Sequence, residues 1–182
     1  MTRLAWIAIT LLLLLATVGL DSHLDIREVM RDREWFLTRT GPEGAELQGV
    51  RGEVKAITAI IAQDAPDRAL VHVRLGLAGP KEAREAWVDC RVSLRDGQNR
   101  VWLPLHANAA DKMIEMLAPD GVNNRLCGPG LEVAQADRTI VSDQLFLVPV
   151  AVTEELTVHV SGFGTRPEAL AMKVAPSIRM LP

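Results

Sequence analysis

The residues able to do chemistry are few and scattered. His23, His72, His106 and His159 are the four histidines, and no two of them stand at a recognised metal-binding spacing. Three fall on strand-like segments with outward parity and read as surface residues. Cys90 and Cys127 are the only cysteines. Without a CxxC pair or a histidine at ligand spacing, they read as a disulfide in an exported domain or as two buried thiols in a cytoplasmic one. Met113 and Met116, near His106, are copper ligands in type, but they fit the apolar face of a short helix, where methionine fills core space. No GxSxG positions a serine nucleophile, and the CGPG stretch from Cys127 leads into no helix start with Lys, so it is a tight turn. No catalytic, cofactor or metal site is expected, and the chain does not read as an enzyme.

One constellation remains. Trp87, Arg91 and Arg95 share the polar face of a hairpin with Arg100, Trp102 and His106, and Trp and Arg are enriched at binding hot spots. Trp87, Arg91, Trp102 and His106 are therefore the expected protein-contact face. The alternative is that a helix at 108–117, or the N-terminal stalk, packs over the face and buries both rings.

The hairpin that must position these residues is the best-determined unit of the chain. Ala86, Val88, Cys90, Val92 and Leu94 alternate with Trp87, Asp89, Arg91, Ser93 and Arg95; Asp96-Gly97-Gln98-Asn99 is a turn; Val101, Leu103 and Leu105 resume the apolar face. Either a two-residue or a four-residue loop keeps the apolar sets inward, and Cys90 with them. Its partner then lies under or beside the core, which fits Cys127 in the loop from Arg125 to Gly130. Closing that loop stabilises the fold by about 4 kcal/mol in the chain-entropy model.

Around the hairpin the pattern is of strands. Val54 to Ala62 is mostly apolar and reads as a strand buried on both sides, and Val71, Val73, Leu75 and Leu77 alternate with His72, Arg74 and Gly76. Ile140 to Val148, Leu156 to Val160 and Leu170 to Val174 add three more, and Pro149 marks a strand end or an edge. Asn108 to Leu117 breaks the pattern as a short helix, with Asn108 as cap and Met113, Ile114, Met116 and Leu117 as its buried side. About seven strands with close-set turns give an all-β fold, a two-sheet antiparallel sandwich with one helical insertion.

Ahead of it, Leu4 to Leu20 carries no charge over about 17 residues, the lower end of what spans a bilayer as a helix. It fits a cleaved signal or a retained anchor; the poor small-x-small site at Thr17-Val18-Gly19 and the length favour an N-terminal transmembrane helix. Arg3 faces Arg27, Arg31 and Arg33 across the segment, a count that places the domain inside the cell, whereas the very short tail and the cysteine pair favour export. Ser22 and Asp25 form a capping-box variant at which the membrane helix either continues or restarts as a short amphipathic stalk, and Glu34 to Thr38 reads equally as a first strand. The organisation expected is an anchor at 1–20, a stalk and linker at 21–52, and a sandwich domain at 53–182. Lys and Arg total 20 against 23 Asp and Glu, a net charge of −3, which disfavours nucleic acid as a partner.

VSLRDGQNRVWL from Val92, then Gly128-Pro129-Gly130, QLFLVP from Gln144 and LTVHV from Leu156 together resemble exported bacterial immunoglobulin-like domains of unknown function. The resemblance covers roughly Leu37 to Leu181. It implies an interaction or sensory accessory module behind a lipobox or a single membrane helix, and supplies no catalytic residues; this chain has no lipobox Cys. The expectation is a single-pass membrane protein with an extracytoplasmic C-terminal immunoglobulin-like domain, an accessory or assembly subunit of an envelope protein complex. The alternative is a small-ligand or ion-sensing extracytoplasmic domain.

Overall fold

The computed structural model describes residues 3–31, 33–121, 125, 127 and 139–181; the side chains at 4, 5, 8, 21–28, 30, 31, 81 and 84 are outside that description. The chain opens with helix α1, Arg3–Arg31. It is continuous through Ser22, so of the two expected courses the helix takes continuation, with no restart at the capping box. Among the described residues no helix is long and apolar enough to cross a membrane. The expected transmembrane span includes Leu4, Ala5 and Ala8, whose side chains lie outside the described residues.

Among the described residues ten strands follow: β1 Phe36–Thr40, β2 Ala45–Leu47, β3 Val50–Ala62, β4 Arg68–Ala78, β5 Arg91–Arg95, β6 Val101–Trp102, β7 Ile140–Pro149, β8 Thr157–Ser161, β9 Glu168–Lys173 and β10 Ser177–Leu181. The first sheet has the order β1-β9-β8-β5-β6 and the second β10-β3-β4-β7, with β2 paired to β3. Helix α2, Asn108–Leu117, lies between β6 and β7, and 3-10 turns occupy Lys81–Trp87 and Val150–Glu155. The chain is thus mostly β, in two sheets with a few helices, and the sheets share one core: Val71, Val73 and Leu75 of β4 pack with Leu94 of β5 and Val158 and Val160 of β8.

Among the described residues the strand count exceeds the expected seven: β1 falls where Glu34 to Thr38 reads equally as a strand, whereas β2 and β10 sit in segments with little periodicity. β1 runs parallel to β9, and β10 runs parallel to β3. The stretch expected as stalk and linker, 21–52, therefore contains two strands of the sheets. β2 turns into β3 through Gln48 and Gly49, both at positive φ (46° and 78°), the two-residue turn whose twist suits a hairpin. β3 reads as expected: Ile57, Ala59 and Ile61 face the core, and Ile60, on the opposite side, is buried too.

The central hairpin differs from expectation in register. Leu94 pairs with Trp102 and Arg95 with Val101, so three residues, Gly97 to Asn99, form the loop. Asp96 dictates this: its carboxylate accepts the backbone N–H of Gln98 and of Arg100 (3.0 and 2.9 Å), while Asn99 N–H donates to the Asp96 carbonyl (3.0 Å). Asn99 takes φ 61°, the left-handed residue that follows the turn in three-residue hairpins. An odd loop reverses the sidedness that both even loops share. Trp102 is turned toward the core, whereas Val101 and Leu103, expected inside, are exposed at 48% and 63%.

Upstream, the expected strand from Ala86 is shorter. Lys81–Trp87 is a 3-10 turn and regular pairing starts at Arg91. Helix α2 has the bounds read from the sequence, although Ala107 rather than Asn108 is the capping position. Ile114 and Ala110 form its buried side against Leu145 of β7, while Met116, expected to be buried, is exposed.

Candidate functional site

The structure divides the expected contact face. Trp87 is wholly buried, 0% exposed, because the 3-10 turn carries its ring into the core and the segment at Gly162 closes over its backbone. Phe163 N–H donates to Val88 O (2.9 Å) and Gly164 N–H to Ala86 O (2.8 Å), and a Cβ at Gly162 would collide with Ala86 O. Trp102 is inward through the hairpin register, half-buried, with the Arg100 guanidinium 5.6 Å from its ring centroid. Neither tryptophan is an outward anchor, and neither was buried by the means expected, a helix or stalk laid over the face. Arg91 and His106 do come together, lining a cleft of about 700 Å³ with Arg125 and the Cys90–Cys127 disulfide. The two cysteine Cα atoms are 5.3 Å apart. Gly128, Pro129 and Gly130 lie outside the described residues.

The outer side of the first sheet carries a cluster that the sequence did not single out. β5 and β8 turn Val92, Leu94, Val158 and Val160 into the core, so Arg91, Ser93, Arg95, Thr157, His159 and Ser161 face outward. Residues 33–35, leading from α1 to β1, lie across this surface and are fixed there by Trp35 N–H and Phe36 N–H, which both donate to Pro167 O. Glu34 points down between the strands. Its Oε2 is 3.1 Å from His159 Nδ1 and accepts from the Arg95 guanidinium (3.2 Å), and its Oε1 accepts the Ser161 hydroxyl (2.8 Å). The Glu34 and His159 side chains are 2% and 4% exposed. Burial by itself pushes the Glu34 carboxyl up; the hydrogen bonds from His159 and Ser161, with the charges of His159 and Arg95, outweigh it and hold the group below its ordinary value.

A second histidine–acid pair mirrors the first on the other sheet. His72 Nε2 is 2.9 Å from Asp143 Oδ1, both side chains buried, and Arg74 lies 3.6 Å from the same oxygen while also pairing with Asp120. Asp143 Oδ2 is buried with no hydrogen-bond partner among the described residues. Parity correctly places His72 and His159 on outward faces, but each face is covered, by α2 and the residues after it on one sheet and by residues 33–35 on the other. The histidines expected at the surface are therefore buried, and each has an acid partner because an unpaired ionisable group there is costly. Among the described histidine side chains His106 is the exposed one, 3.5 Å from Arg125. The side chain of His23 lies outside the described residues.

The Ser161 hydroxyl donates to the Glu34 carboxylate rather than to the His159 imidazole, so the three groups do not stand in the serine–histidine–acid order of a catalytic relay. Among the described residues no three His, Cys, Asp or Glu side chains are grouped to hold a metal ion. What the surface offers is positive charge beside exposed apolar side chains. Clefts on the two sides of Glu34 are lined by Arg91, Arg95, Val101 and Leu103, and by Arg39, Lys173 and His159.

Fold and site together define a disulfide-stapled, mostly β chain of two sheets whose first sheet has a cationic outer face. No family model matches the sequence, and no curated protein matches it. Among solved structures, one described as a "putative lipoprotein from Staphylococcus aureus subsp. aureus NCTC 8325" superposes with a TM-score of 0.37 at 7% identity, over 74% of this chain and 91% of that chain. A likeness at that level carries no argument about fold or function.

Proposed function

We propose that this chain is an extracytoplasmic immunoglobulin-like interaction module, held at a membrane by its N-terminal helix and serving as an accessory or assembly subunit of an envelope protein complex. The observation that carries the proposal is the Cys90–Cys127 disulfide, since such a bond persists in oxidising compartments and is rare in the cytosol. The topology supports the immunoglobulin-like part. β4 and β7 are neighbours in one sheet, and β5, β8 and β9 in the other, which parallels the B/E and C/F/G grouping of that fold. The bond itself departs from the antibody pattern, because Cys90 precedes β5 and Cys127 lies between α2 and β7.

The N-terminal helix supports the membrane part. Leu11 to Leu15, Val18 and Leu20 are all exposed, without a core to cover them. Thr10 and Thr17 turn their hydroxyls back to the carbonyls of Trp6 and Leu13 (2.9 and 3.1 Å), which satisfies them in a solvent that offers no hydrogen bonds. The contact surface is the outer face of the first sheet, with Leu103, Val101 and Trp35 exposed beside Arg91 and Arg95. Cys90 and Cys127 should resist alkylation in intact, unreduced cells and become reactive only after reduction and unfolding; free thiols in such cells would overturn the export half of the proposal. A second reading, a small-ligand sensor, draws on the cleft beside the disulfide with Arg91, Arg125, His106 and Gln144 in its wall. A ligand-dependent rise in melting temperature is its discriminating measurement.

A further inference from the structure

We infer that the outer face of the first sheet recognises an acidic, extended segment of a protein partner, and that Glu34 occupies one of its carboxylate positions from within the chain. The inference rests on the interaction-module reading above and names the chemistry of the partner. The chain as a whole is acidic, with a net charge of −3, yet the outward positions of this sheet have the opposite sign. Strand pairing aligns Arg39 of β1 with Ala171 of β9, Lys173 of β9 with Thr157 of β8, and Arg95 of β5 with both Thr157 and Val101. With Arg91, four cations from three strands and His159 share one face, and no strand contributes a carboxylate to it.

Among the described residues two acids lie there: Asp96, in the wall of the cleft with Arg39 and Lys173 and already paired with Arg100, and Glu34, brought by the segment laid across the strands. Its carboxylate receives His159, Ser161 and Arg95 at 3.2 Å or less, which demonstrates how the face holds a carboxylate: charge-assisted donors converging from two neighbouring strands. One carboxylate leaves the surface cationic. Among the described residues Arg39 and Lys173 have no ion-pair partner, and they line a cleft of about 560 Å³ on one side of Glu34. On the other side Arg91 and Arg95 line a cleft of about 320 Å³ whose rim is the exposed pair Val101 and Leu103. Cations within concave clefts, alternating with apolar side chains, suit an extended chain of acids and apolar residues better than a flat anionic bilayer, which meets protruding groups.

The test uses the full chain in mild detergent and fluorescence anisotropy of labelled synthetic peptides of alternating Glu and Leu, Gln and Leu, or Lys and Leu. The Glu peptide should bind, more weakly as salt is raised, and the Gln and Lys peptides should not. Arg39→Glu with Lys173→Glu should weaken it at least about tenfold with an unchanged melting temperature, and Lys112→Glu, exposed on α2, should leave it unaltered. Equal binding of Glu and Gln peptides, indifference to the double charge reversal, or displacement of the peptide by short-chain phosphatidylglycerol in the micelles would each overturn the inference. Cysteine alkylation is an independent readout. Free thiols in cells with peptide binding intact would remove the extracytoplasmic assignment and leave the acidic-partner assignment standing, and the converse result would do the opposite.

Discussion

Glu34 shows how a single carboxylate ties the start of the domain to its sheet. Its removal leaves His159 and Arg95 facing each other in a buried site, and breaking a buried pair from one side costs about 3 kcal/mol or more. Glu34→Ala should therefore lower unfolding free energy by about 3 kcal/mol in urea denaturation. The pH dependence has a definite sign. The folded-state value lies below the ordinary 4.5, so the carboxylate's contribution is complete above that value and is lost as pH falls through the folded-state value. Melting temperature recorded downward from about pH 7 should fall more steeply for the parent chain than for Glu34→Gln in the acid range; parallel curves would show that Glu34 contributes no linkage. Little of this was legible in the sequence. Arg33-Glu34-Trp35 has no motif, and the partners of Glu34 are distant in sequence, Arg95 at 61 positions in β5 and His159 and Ser161 at 125 and 127 in β8. The one available signal was the outward parity of His159 next to Ser161, which reads as surface until something is known to cover it.

The β5–β6 hairpin shows how one residue in a loop decides a face. Alternation over Val88 to Leu105 correctly located a hairpin and its turn, and Asp96-Gly97 looked like an even loop. Asp96 instead caps a three-residue loop, and the parity of everything after it reverses. Asn99→Gly should be neutral or slightly stabilising, whereas Asn99→Ala should cost about 1 kcal/mol because alanine pays the left-handed penalty that asparagine partly avoids. Asp96→Ala should destabilise further, since two backbone N–H groups and Arg100 lose their acceptor. Equal denaturation midpoints for the Gly, Ala and parent chains would contradict the turn geometry. The consequence for the surface is direct: the apolar contacts available to a partner are Val101 and Leu103, and the indole of Trp102 belongs with the core.

In the molecule as a whole, one core joins two sheets, and the segment carrying Cys127 is bound covalently to the entrance of β5. Replacing both cysteines by serine should destabilise the fold by about 4 kcal/mol in the chain-entropy model, a fall of roughly 10 °C in melting temperature for a domain of this size. A smaller shift would mean that the unbonded chain already restricts this loop. Composition, the apolar run at the N-terminus, the apolar runs of β3 and β7, the strand alternation of β4 and β5, and the bounds of α2 were all determined by the sequence alone. They depend on local periodicity and on side chains that must leave water. Tertiary structure decided the rest. It set which way the hairpin faces, because a loop one residue longer or shorter costs little but inverts every side chain. It paired β1 and β10 in parallel with distant strands, for which no local signal exists. It also buried His72 and His159, since a residue on an outward face is exposed only if no other part of the chain comes to lie upon it.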